Sequence, residues 1–483
     1  MRAGHPRAVN AHPETVSTMT GRRGARREAD VKSEMNRVSR ASAPTRECPS
    51  EPVRLLVADA AGRIYDHPEL RLAGERGAGA EPIAAGEWLP LPRGSDLFAL
   101  PGRAPIGLGK KRAPIVVDEW LGGEARAVAA FVAPAHTTTY NAAFRTRPGA
   151  AALPTFAYAP VGLADGCYWT AAFRSDPDVR QDPWRFARAR IAAGVARKRA
   201  ELPRNRVARQ LEKCALEYGC RAAQNFFLGR HEGPLPSSSA CNAQCVGCIS
   251  LQPDGQFRAS HDRLALPPTP KEIADVALSH FARVPDGVVS FGQGCEGEPL
   301  LFGESLALAV ARIRAQHARG TVNLNSNASK PDVVRELVAA GLDAIRASMN
   351  SPRADVYAAY YQPRGYDVRD VVESIGVVTA AGGHASINLL CFPGVTDTEP
   401  ELAALTALIE RTGLQLIQLR NLNIDPELYR SSLPKGAVQP GRGMRWLRDR
   451  LAKRFPALRF GYFNPRVGPR PSGVSPSSIS ASG

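Results

Sequence analysis

The chain has 483 residues, 44% of them hydrophobic, which is enough for two or three domains with real cores. No run of about 18 apolar residues and no apolar segment behind the N-terminal arginines is present, so we expect neither a membrane span nor a secretory signal. Nine unevenly spaced cysteines argue against a disulfide framework. A cytoplasmic location is therefore expected.

The charge of the chain is strongly basic, with a formal net charge of +16. A basic surface would suit a nucleic-acid partner, because phosphate backbones attract it. The 62 basic residues are nearly all arginines in a chain rich in Ala, Gly and Pro, a bias that GC-rich coding also produces. A nucleic-acid partner is left open but is not favoured.

The N-terminal part of the chain is predicted to consist of a tail followed by a β domain. Residues 1–50 are rich in Arg, Ser, Ala and Pro and are predicted to be a disordered basic tail. Residues 53–175 contain short extended runs separated by turns, which predicts a mostly β domain of unknown role. The clearest signal is a hairpin with arms 156–163 and 167–173.

Residues 181–228 are predicted to be a helical connector, because apolar residues such as Val207 and Leu211 recur at helical spacing. This segment also holds Cys214 and Cys220, spaced C-x5-C. Two readings stay open for this pair: a contribution to an auxiliary cluster, or two ordinary buried thiols.

Residues 234–430 alternate between strand and helix patterns, which predicts parallel βα units and a partial (β/α)6 TIM-type barrel. The expected strands are a short one near residue 234, then 287–291, 321–325, 344–349, 385–391 and 416–422. The expected helices are 270–283, with Thr269 as N-cap, then 304–318, 331–340, 353–361, 367–381 and 399–412. Residues 431–465 are predicted to be a C-terminal helix (443–455) and strand (458–463), and 466–483 a disordered tail.

Three cysteines stand close together after the first predicted strand, in a C-x3-C-x2-C pattern: Cys241, Cys245 and Cys248. Thiolates are soft ligands for zinc, copper(I) or iron–sulfur clusters, and three of them leave one corner of a cubane open. The alternative is a zinc site completed by a distant Cys or His. The triplet resembles the signature of the radical S-adenosylmethionine superfamily, although Gly247 stands where that family usually has an aromatic residue.

Polar residues at the ends of later strands resemble further motifs of the family. The segment Gly297-Glu298-Pro299 is similar to its G-E-P segment. The resemblance implies that Gly297 leaves room for the methionine part of S-adenosylmethionine, and that Glu298 and the strand-end backbone hold its ammonium group. Asn327 lies in a segment similar to the family's T-N-G segment, and residues 393–397 resemble its P-G-x-T-D turn.

The fourth barrel strand supplies three polar residues that alternate and therefore share one face: Arg346, Ser348 and Asn350. The resemblance assigns Ser348 and Asn350 to the ribose and carboxylate of the cofactor. Arg346 could pair with that carboxylate, with Glu298, or with an internal partner. Two further cysteines near the barrel mouth, Cys295 and Cys391, could donate hydrogen, hold an auxiliary cluster, bind substrate, or simply fill buried space.

The family resemblance implies an enzyme whose [4Fe-4S] cluster, held by Cys241, Cys245 and Cys248, reductively cleaves S-adenosylmethionine. The resulting 5′-deoxyadenosyl radical would take hydrogen from a substrate that the sequence does not identify. Its expected partners are that substrate and a reductant such as flavodoxin or ferredoxin. The alternative is a non-catalytic iron–sulfur or zinc module that recognises RNA or protein.

Overall fold

A computed structural model describes residues 48–77, 79–252, 257 and 259–467. The two predicted tails, 1–50 and 466–483, lie almost wholly outside these ranges. Within the described residues, no helix is long and apolar enough to cross a membrane.

The first part of the described chain is built from short antiparallel strands, as the sequence predicts. These are β1 (Arg54–Ala58), β2 (Ile64–Glu75), β3 (Ala80–Pro82), β4 (Trp88–Pro90), β5 (Asp96–Leu100), β6 (Arg103–Leu108), β7 (Pro114–Val116), β8 (Glu119–Trp120), β9 (Gly123–Glu124), β10 (Arg126–Phe131), β11 (His136–Thr138), β12 (Asn141–Ala142), β13 (Phe144–Thr146), β14 (Ala159–Ala164) and β15 (Cys167–Arg174). Among the described residues, thirteen of them form one sheet whose main path is β11-β15-β14-β10-β1-β2-β6-β13. Strands β8 and β9 form a separate ribbon.

The predicted hairpin is formed by β14 and β15, with Ala164 opposite Cys167. Its two turn residues, Asp165 and Gly166, have φ angles of 52° and 70°. A turn with positive φ at both central positions matches the twist of the flanking strands. Behind the turn, Trp169 is completely buried in the core of the β domain, which fixes the register of the hairpin.

Three helices connect the β domain to the second half of the chain: α1 (Arg188–Glu201), α2 (Arg206–Leu216) and α3 (Arg221–Leu228). The side chain of Asn205 caps α2 by accepting a hydrogen bond from the backbone N–H of Ala208. The predicted apolar positions Val207 and Leu211 are both buried.

The second half contains a parallel sheet with helices between its strands. In chain order these elements are β16 (Glu232–Pro234), α4 (Pro270–Phe281), β17 (Val288–Phe291), α5 (Gly303–Gln316), β18 (Thr321–Ser326), α6 (Pro331–Ala340), β19 (Ala344–Met349), α7 (Ala354–Tyr361), α8 (Val368–Ala380), β20 (His384–Cys391), α9 (Glu399–Thr412), β21 (Leu416–Asn421), α10 (Pro426–Ser432), α11 (Met444–Arg454) and β22 (Arg459–Gly461). The strands follow one another across the sheet and curl into a half-barrel. Thr269 caps α4 as predicted, in a capping box with Glu272.

The predicted number of barrel strands is wrong, because the sheet has seven strands in the described chain. The seventh is β22, which lies in the segment that the sequence analysis separated from the barrel. It pairs with β21 over only three residues, with Leu416 opposite Arg459. A short strand whose partner lies about 40 residues away carries no sign of that pairing in its own pattern, and this explains the error.

The β domain packs against the end of β21. Asn421, the last residue of β21, accepts a hydrogen bond from the backbone N–H of Thr138 (2.9 Å) and donates one to the carbonyl of His136 (3.1 Å). Nearby, the side chains of Arg103 and Asp425 form a buried ion pair at 2.6 Å. The β domain therefore lies at the edge of the barrel where the parallel strands end.

Candidate functional site

The cysteine loop follows β16 and lies along the end of α7. Backbone hydrogen bonds run from Val246 N–H to the Tyr360 carbonyl (3.0 Å) and from Gln244 N–H to the Tyr361 carbonyl (3.1 Å). A third joins Arg364 N–H to the Asn242 carbonyl at 2.8 Å. Because alternate residues of the loop are bonded to one segment, its three cysteines are held in place at the strand-end edge of the sheet.

Gly247 departs from the family pattern for a steric reason. A Cβ atom at this position would lie 2.7 Å from the hydroxyl oxygen of Tyr360 and 2.9 Å from Cγ2 of Ile424. An aromatic side chain on the loop would have to displace both. In this chain, Tyr360 of α7 and Ile424, which follows β21, occupy the space that an aromatic side chain of the loop would need.

Throughout the described ranges, no three His, Cys, Asp or Glu side chains, the three loop thiols included, converge closely enough to hold one ion. A zinc site would bring its sulfur ligands to about 2.3 Å from a common metal. In an iron–sulfur cubane each thiolate binds a different iron, so the sulfurs are spread around a larger group.

Burial keeps two of these thiols protonated when no metal is bound. It raises the pKa of Cys241 to about 11 and the pKa of Cys245 well above its ordinary value. Metal ligation by cysteine requires the thiolate, so loading the site releases protons.

A buried glutamate that the sequence analysis missed anchors the start of the loop. The carboxylate of Glu296 accepts hydrogen bonds from the backbone N–H groups of Ser237 (2.7 Å), Ser238 (2.9 Å) and Gln293 (2.6 Å), and from the Ser237 hydroxyl. Burial raises the pKa of Glu296 to about 7 despite these donors. The available signal was the doubled glutamate of Cys295-Glu296-Gly297-Glu298, of which only the second was assigned a role.

The side of Gly297 where a Cβ atom would stand is occupied by the cysteine loop. A Cβ atom here would lie 1.9 Å from the backbone oxygen of Ala240, so the space beside Gly297 is filled by the cysteine loop itself. Two hydrogen bonds use this close approach: Gly297 N–H to the Ser238 carbonyl (2.9 Å) and Glu298 N–H to the Ala240 carbonyl (2.7 Å). Gly297 thus lets the loop dock on the end of β17, and its predicted place beside the methionine part of the cofactor stays a prediction.

Glu298 and Asn327 join the ends of two neighbouring strands to the loop. The Glu298 carboxylate accepts from the Ser326 hydroxyl (2.6 Å), Asn327 N–H (2.8 Å) and Leu300 N–H (3.0 Å). Asn327 in turn donates through its amide to the side chain of Asn242 at 2.8 Å. Pro299 begins a short 3-10 turn, Pro299–Phe302. The predicted contacts of Glu298, Pro299 and Asn327 with the cofactor stay predictions.

The residues predicted on β19 separate into two groups. Ser348 is half-buried on the inner face of the barrel. Asn350 is completely buried, and its amide donates to the Val356 carbonyl (3.0 Å) and to the Tyr429 hydroxyl (3.3 Å). Their assignment to the ribose and carboxylate of the cofactor stays a prediction, and Asn350 would have to be uncovered to make its contact.

Arg346 does not pair with Glu298, one of the three partners considered for it. Its guanidinium donates to Ser386 Oγ (3.2 Å), Gln418 Oε1 (2.9 Å) and the Tyr462 carbonyl (3.3 Å), all neutral acceptors inside the barrel. Burial lowers the pKa of Arg346 to about 10. These internal acceptors therefore receive hydrogen bonds from most of the N–H groups of the Arg346 guanidinium.

A family model decides the identity of the barrel. The model of the radical SAM superfamily matches residues 235–406, which include the cysteine loop and the strand ends described above. These residues form a radical SAM domain. Members of the superfamily are enzymes that use a [4Fe-4S] cluster and S-adenosylmethionine, which they cleave reductively.

Solved structures of radical SAM enzymes resemble the chain only remotely. A radical SAM methyltransferase from Sphaerobacter thermophilus is 15% identical, with a TM-score of 0.34, over 47% of this chain and 63% of that one. SuiB from Streptococcus suis bound to S-adenosylmethionine is 14% identical, with a TM-score of 0.34, over 48% and 50%. The hydrogenase maturase HydG from Carboxydothermus hydrogenoformans is 15% identical, with a TM-score of 0.30, over 48% and 60%.

The chain thus spans about half to three fifths of the length of these structures. No curated protein matches the sequence. Resemblances this remote indicate no substrate for the radical SAM domain.

The remaining cysteines of the domain and connector are buried or half-buried thiols. The neighbouring Cys214 thiol, together with burial, raises the pKa of Cys295. Cys391 is buried and donates to the Leu389 carbonyl at 3.4 Å. Cys220 also lies close enough to Cys295 for the two thiols to interact, and the auxiliary-cluster reading stays a prediction.

The P-G-x-T-D turn has a structural task. Asp397 is completely buried, and its carboxylate accepts hydrogen bonds from the backbone N–H groups of Gly394 (2.5 Å) and Gly443 (2.8 Å). The turn therefore ties the end of β20 to the start of α11. Beside it, Gly77 of the β domain donates to the Pro393 carbonyl, so the same turn receives the β domain.

Proposed function

We propose that this chain is a radical SAM enzyme in which Cys241, Cys245 and Cys248 hold three irons of a [4Fe-4S] cluster and the fourth iron binds S-adenosylmethionine. The observation that carries the proposal is the cysteine loop, fixed on both sides by backbone hydrogen bonds at the strand-end edge of a radical SAM domain. When bound there, the cluster would supply the single electron for reductive cleavage of S-adenosylmethionine to methionine and a 5′-deoxyadenosyl radical, which would take a hydrogen atom from the substrate.

The chain's own residues position and shield this chemistry. Glu296 and Gly297 fix the start of the loop on β17, and the end of α7 fixes its remainder. Glu298 orients Asn327 toward the loop through its hydrogen-bond network. A fixed arrangement of this kind lowers the cost of orienting reactants at the moment of reaction.

The β domain supports exclusion of water from the same edge. Its strand β11 is bonded to Asn421 at the end of β21, and Arg103 and Asp425 close the contact nearby. Covering the strand ends protects reactive species from quenching by solvent. We infer that a reductant such as flavodoxin or ferredoxin supplies the electron.

The test is anaerobic reconstitution of the full chain with iron and sulfide. The protein is then reduced with dithionite in the presence of S-adenosylmethionine, and 5′-deoxyadenosine is measured by chromatography. We expect wild type to bind about four irons and form 5′-deoxyadenosine, and Cys245→Ala to do neither. Cys48→Ala is the matched control, because Cys48 is exposed and lies in the β domain, and it should behave as wild type.

A wild-type protein that loads no iron would contradict the proposal. A protein with a complete cluster that cleaves no S-adenosylmethionine would favour the alternative, a non-catalytic iron–sulfur module that recognises RNA or protein. Some enzymes cleave S-adenosylmethionine only when the substrate is bound. The assay is therefore repeated with separate fractions of cell extract that contain small molecules, peptides or RNA.

A further inference from the structure

An arginine lies against one of the three loop cysteines. Nη2 of Arg263 is 3.6 Å from Sγ of Cys248, within hydrogen-bond distance for a sulfur acceptor. Nε of the same guanidinium donates to the hydroxyl of Ser250 at 3.2 Å. That hydroxyl is itself 3.6 Å from the Cys248 sulfur. Arg263, Ser250 and Cys248 therefore form a closed triangle of polar contacts.

The triangle is fixed to the framework of the site. The hydroxyl of Ser250 donates to the backbone carbonyl of Glu296 at 3.2 Å. Glu296 is the buried residue whose carboxylate holds Ser237 and Ser238 at the start of the cysteine loop. The guanidinium is thus held by two points, the cysteine and the serine, and a contact at two points gives it a defined orientation.

The charge of Arg263 is directed at the thiols. Among the described residues, no carboxylate lies within ion-pair distance of this guanidinium. The neighbouring acid, Asp262, is engaged by Lys213 at 2.7 Å and by the Tyr218 hydroxyl at 2.9 Å.

A cation bonded to a ligand sulfur affects the two oxidation states of a cluster differently. The reduced cluster carries one more negative charge than the oxidised cluster and is stabilised more by a nearby positive charge. Hydrogen bonds to the sulfurs and the net charge around a cluster are among the factors that set its reduction potential. The position of Arg263 is therefore suited to make the cluster easier to reduce.

We propose that Arg263 donates a hydrogen bond to the cluster ligand Cys248 and raises the reduction potential of the [4Fe-4S] cluster. The inference rests on the proposed function, because it takes Cys248 to be a cluster ligand. Arg263 is a positioning residue that acts through Cys248. It makes the one-electron reduction by a weak biological donor more favourable before S-adenosylmethionine is cleaved.

The test is a potentiometric titration of anaerobically reconstituted full-length protein. Titanium(III) citrate is the reductant, and the reduced cluster is followed by electron paramagnetic resonance. Wild type is compared with Arg263→Gln, Arg263→Lys and Ser250→Ala. The matched control is Arg319→Gln, which also removes one positive charge, but from an exposed residue before β18, at the opposite edge of the sheet. Iron and sulfide are measured on every sample.

We expect Arg263→Gln to reduce the ratio of reduced to oxidised cluster at a fixed potential at least tenfold, which is a downward shift of about 59 mV for a one-electron couple. Arg263→Lys keeps the charge without the two-point contact and should recover part of the shift. Ser250→Ala should give a smaller shift, and Arg319→Gln none. A merely structural Arg263 would change the amount of cluster loaded but not its potential.

Equal potentials for wild type and Arg263→Gln, both with complete clusters, overturn this inference and leave the proposed function intact. Failure of wild type to load a cluster overturns the proposed function instead. If Arg263→Gln loads no cluster, the titration of Arg263→Lys and Ser250→Ala decides. Wild-type potentials in both of those variants overturn the inference.

Discussion

Replacing Gly297 with alanine tests how the cysteine loop docks on the barrel. The added Cβ would lie 1.9 Å from the Ala240 oxygen and 2.5 Å from its carbonyl carbon. Both are backbone atoms, so no side chain can turn away to make room. Gly297 has no positive φ angle, so alanine meets no backbone strain of its own and the effect is purely steric.

The magnitude follows from what the clash displaces. The backbone at 238–240 must move by about 1 Å, which breaks the hydrogen bonds of Gly297 and Glu298 to it. Each such bond contributes about 1 kcal/mol net, and overpacking a filled site costs about 1–3 kcal/mol. We expect Gly297→Ala to destabilise the barrel by about 3–5 kcal/mol and to bind less iron than wild type.

The assay is urea unfolding of the metal-free protein followed by far-ultraviolet circular dichroism, with iron content measured after reconstitution. Gly376→Ala is the control, because Gly376 lies within α8 and a Cβ atom there would meet nothing within 4 Å. That change should stabilise the helix by up to about 1 kcal/mol. If Gly297→Ala unfolds at the wild-type urea concentration and binds as much iron, the proposed docking of the loop is wrong.

Two other buried carboxylates give further predictions. Asp425→Asn leaves the guanidinium of Arg103 buried without its charged partner and should cost about 3–5 kcal/mol in urea unfolding; a loss below about 1 kcal/mol would contradict the importance of this contact. Glu401 is completely buried, with one hydrogen bond from Ser351, and burial raises its pKa to about 8. Since the folded state holds this proton more tightly than the unfolded state, its contribution to stability is present below about pH 4.5 and is lost as pH rises through 8. The pKa rises from 4.5 to about 8, and a tenfold change in proton affinity is worth about 1.4 kcal/mol, so Glu401→Gln should be more stable than wild type at pH 9 by about 5 kcal/mol. Thermal unfolding of the variant at pH 6 and 9 should show a weaker pH dependence than that of wild type.

Much of the barrel could be predicted because its elements carry local signals. Helix α6, strand β19 and helix α9 begin and end at the predicted residues. In the two helices, proline in the first turn and glycine after the last residue mark these boundaries. The cysteine spacing likewise identified the loop without any tertiary information.

The roles within the site could not be predicted so well, because they depend on contacts between distant segments. The sequence does not indicate that the backbone of Ala240, 57 residues earlier in the chain, lies directly against Gly297. Glu296 gives no sign in the sequence that its carboxylate holds Ser237 and Ser238. Arg263 reaches Cys248 only because the segment after the loop folds back over it.

The sequence by itself determined the βα alternation, the position of the three thiols, and the polar residues on the inner face of β19. Hydrophobic period, capping residues and metal-ligand spacing are local properties, so they can be predicted from neighbouring residues. Only the tertiary structure decided that β22 completes the sheet, that the β domain covers the strand ends, and that Glu296, Gly297 and Arg263 hold the cysteine loop. These contacts join residues far apart in the chain, and they exist only once the sheet has curled and brought its strand ends together.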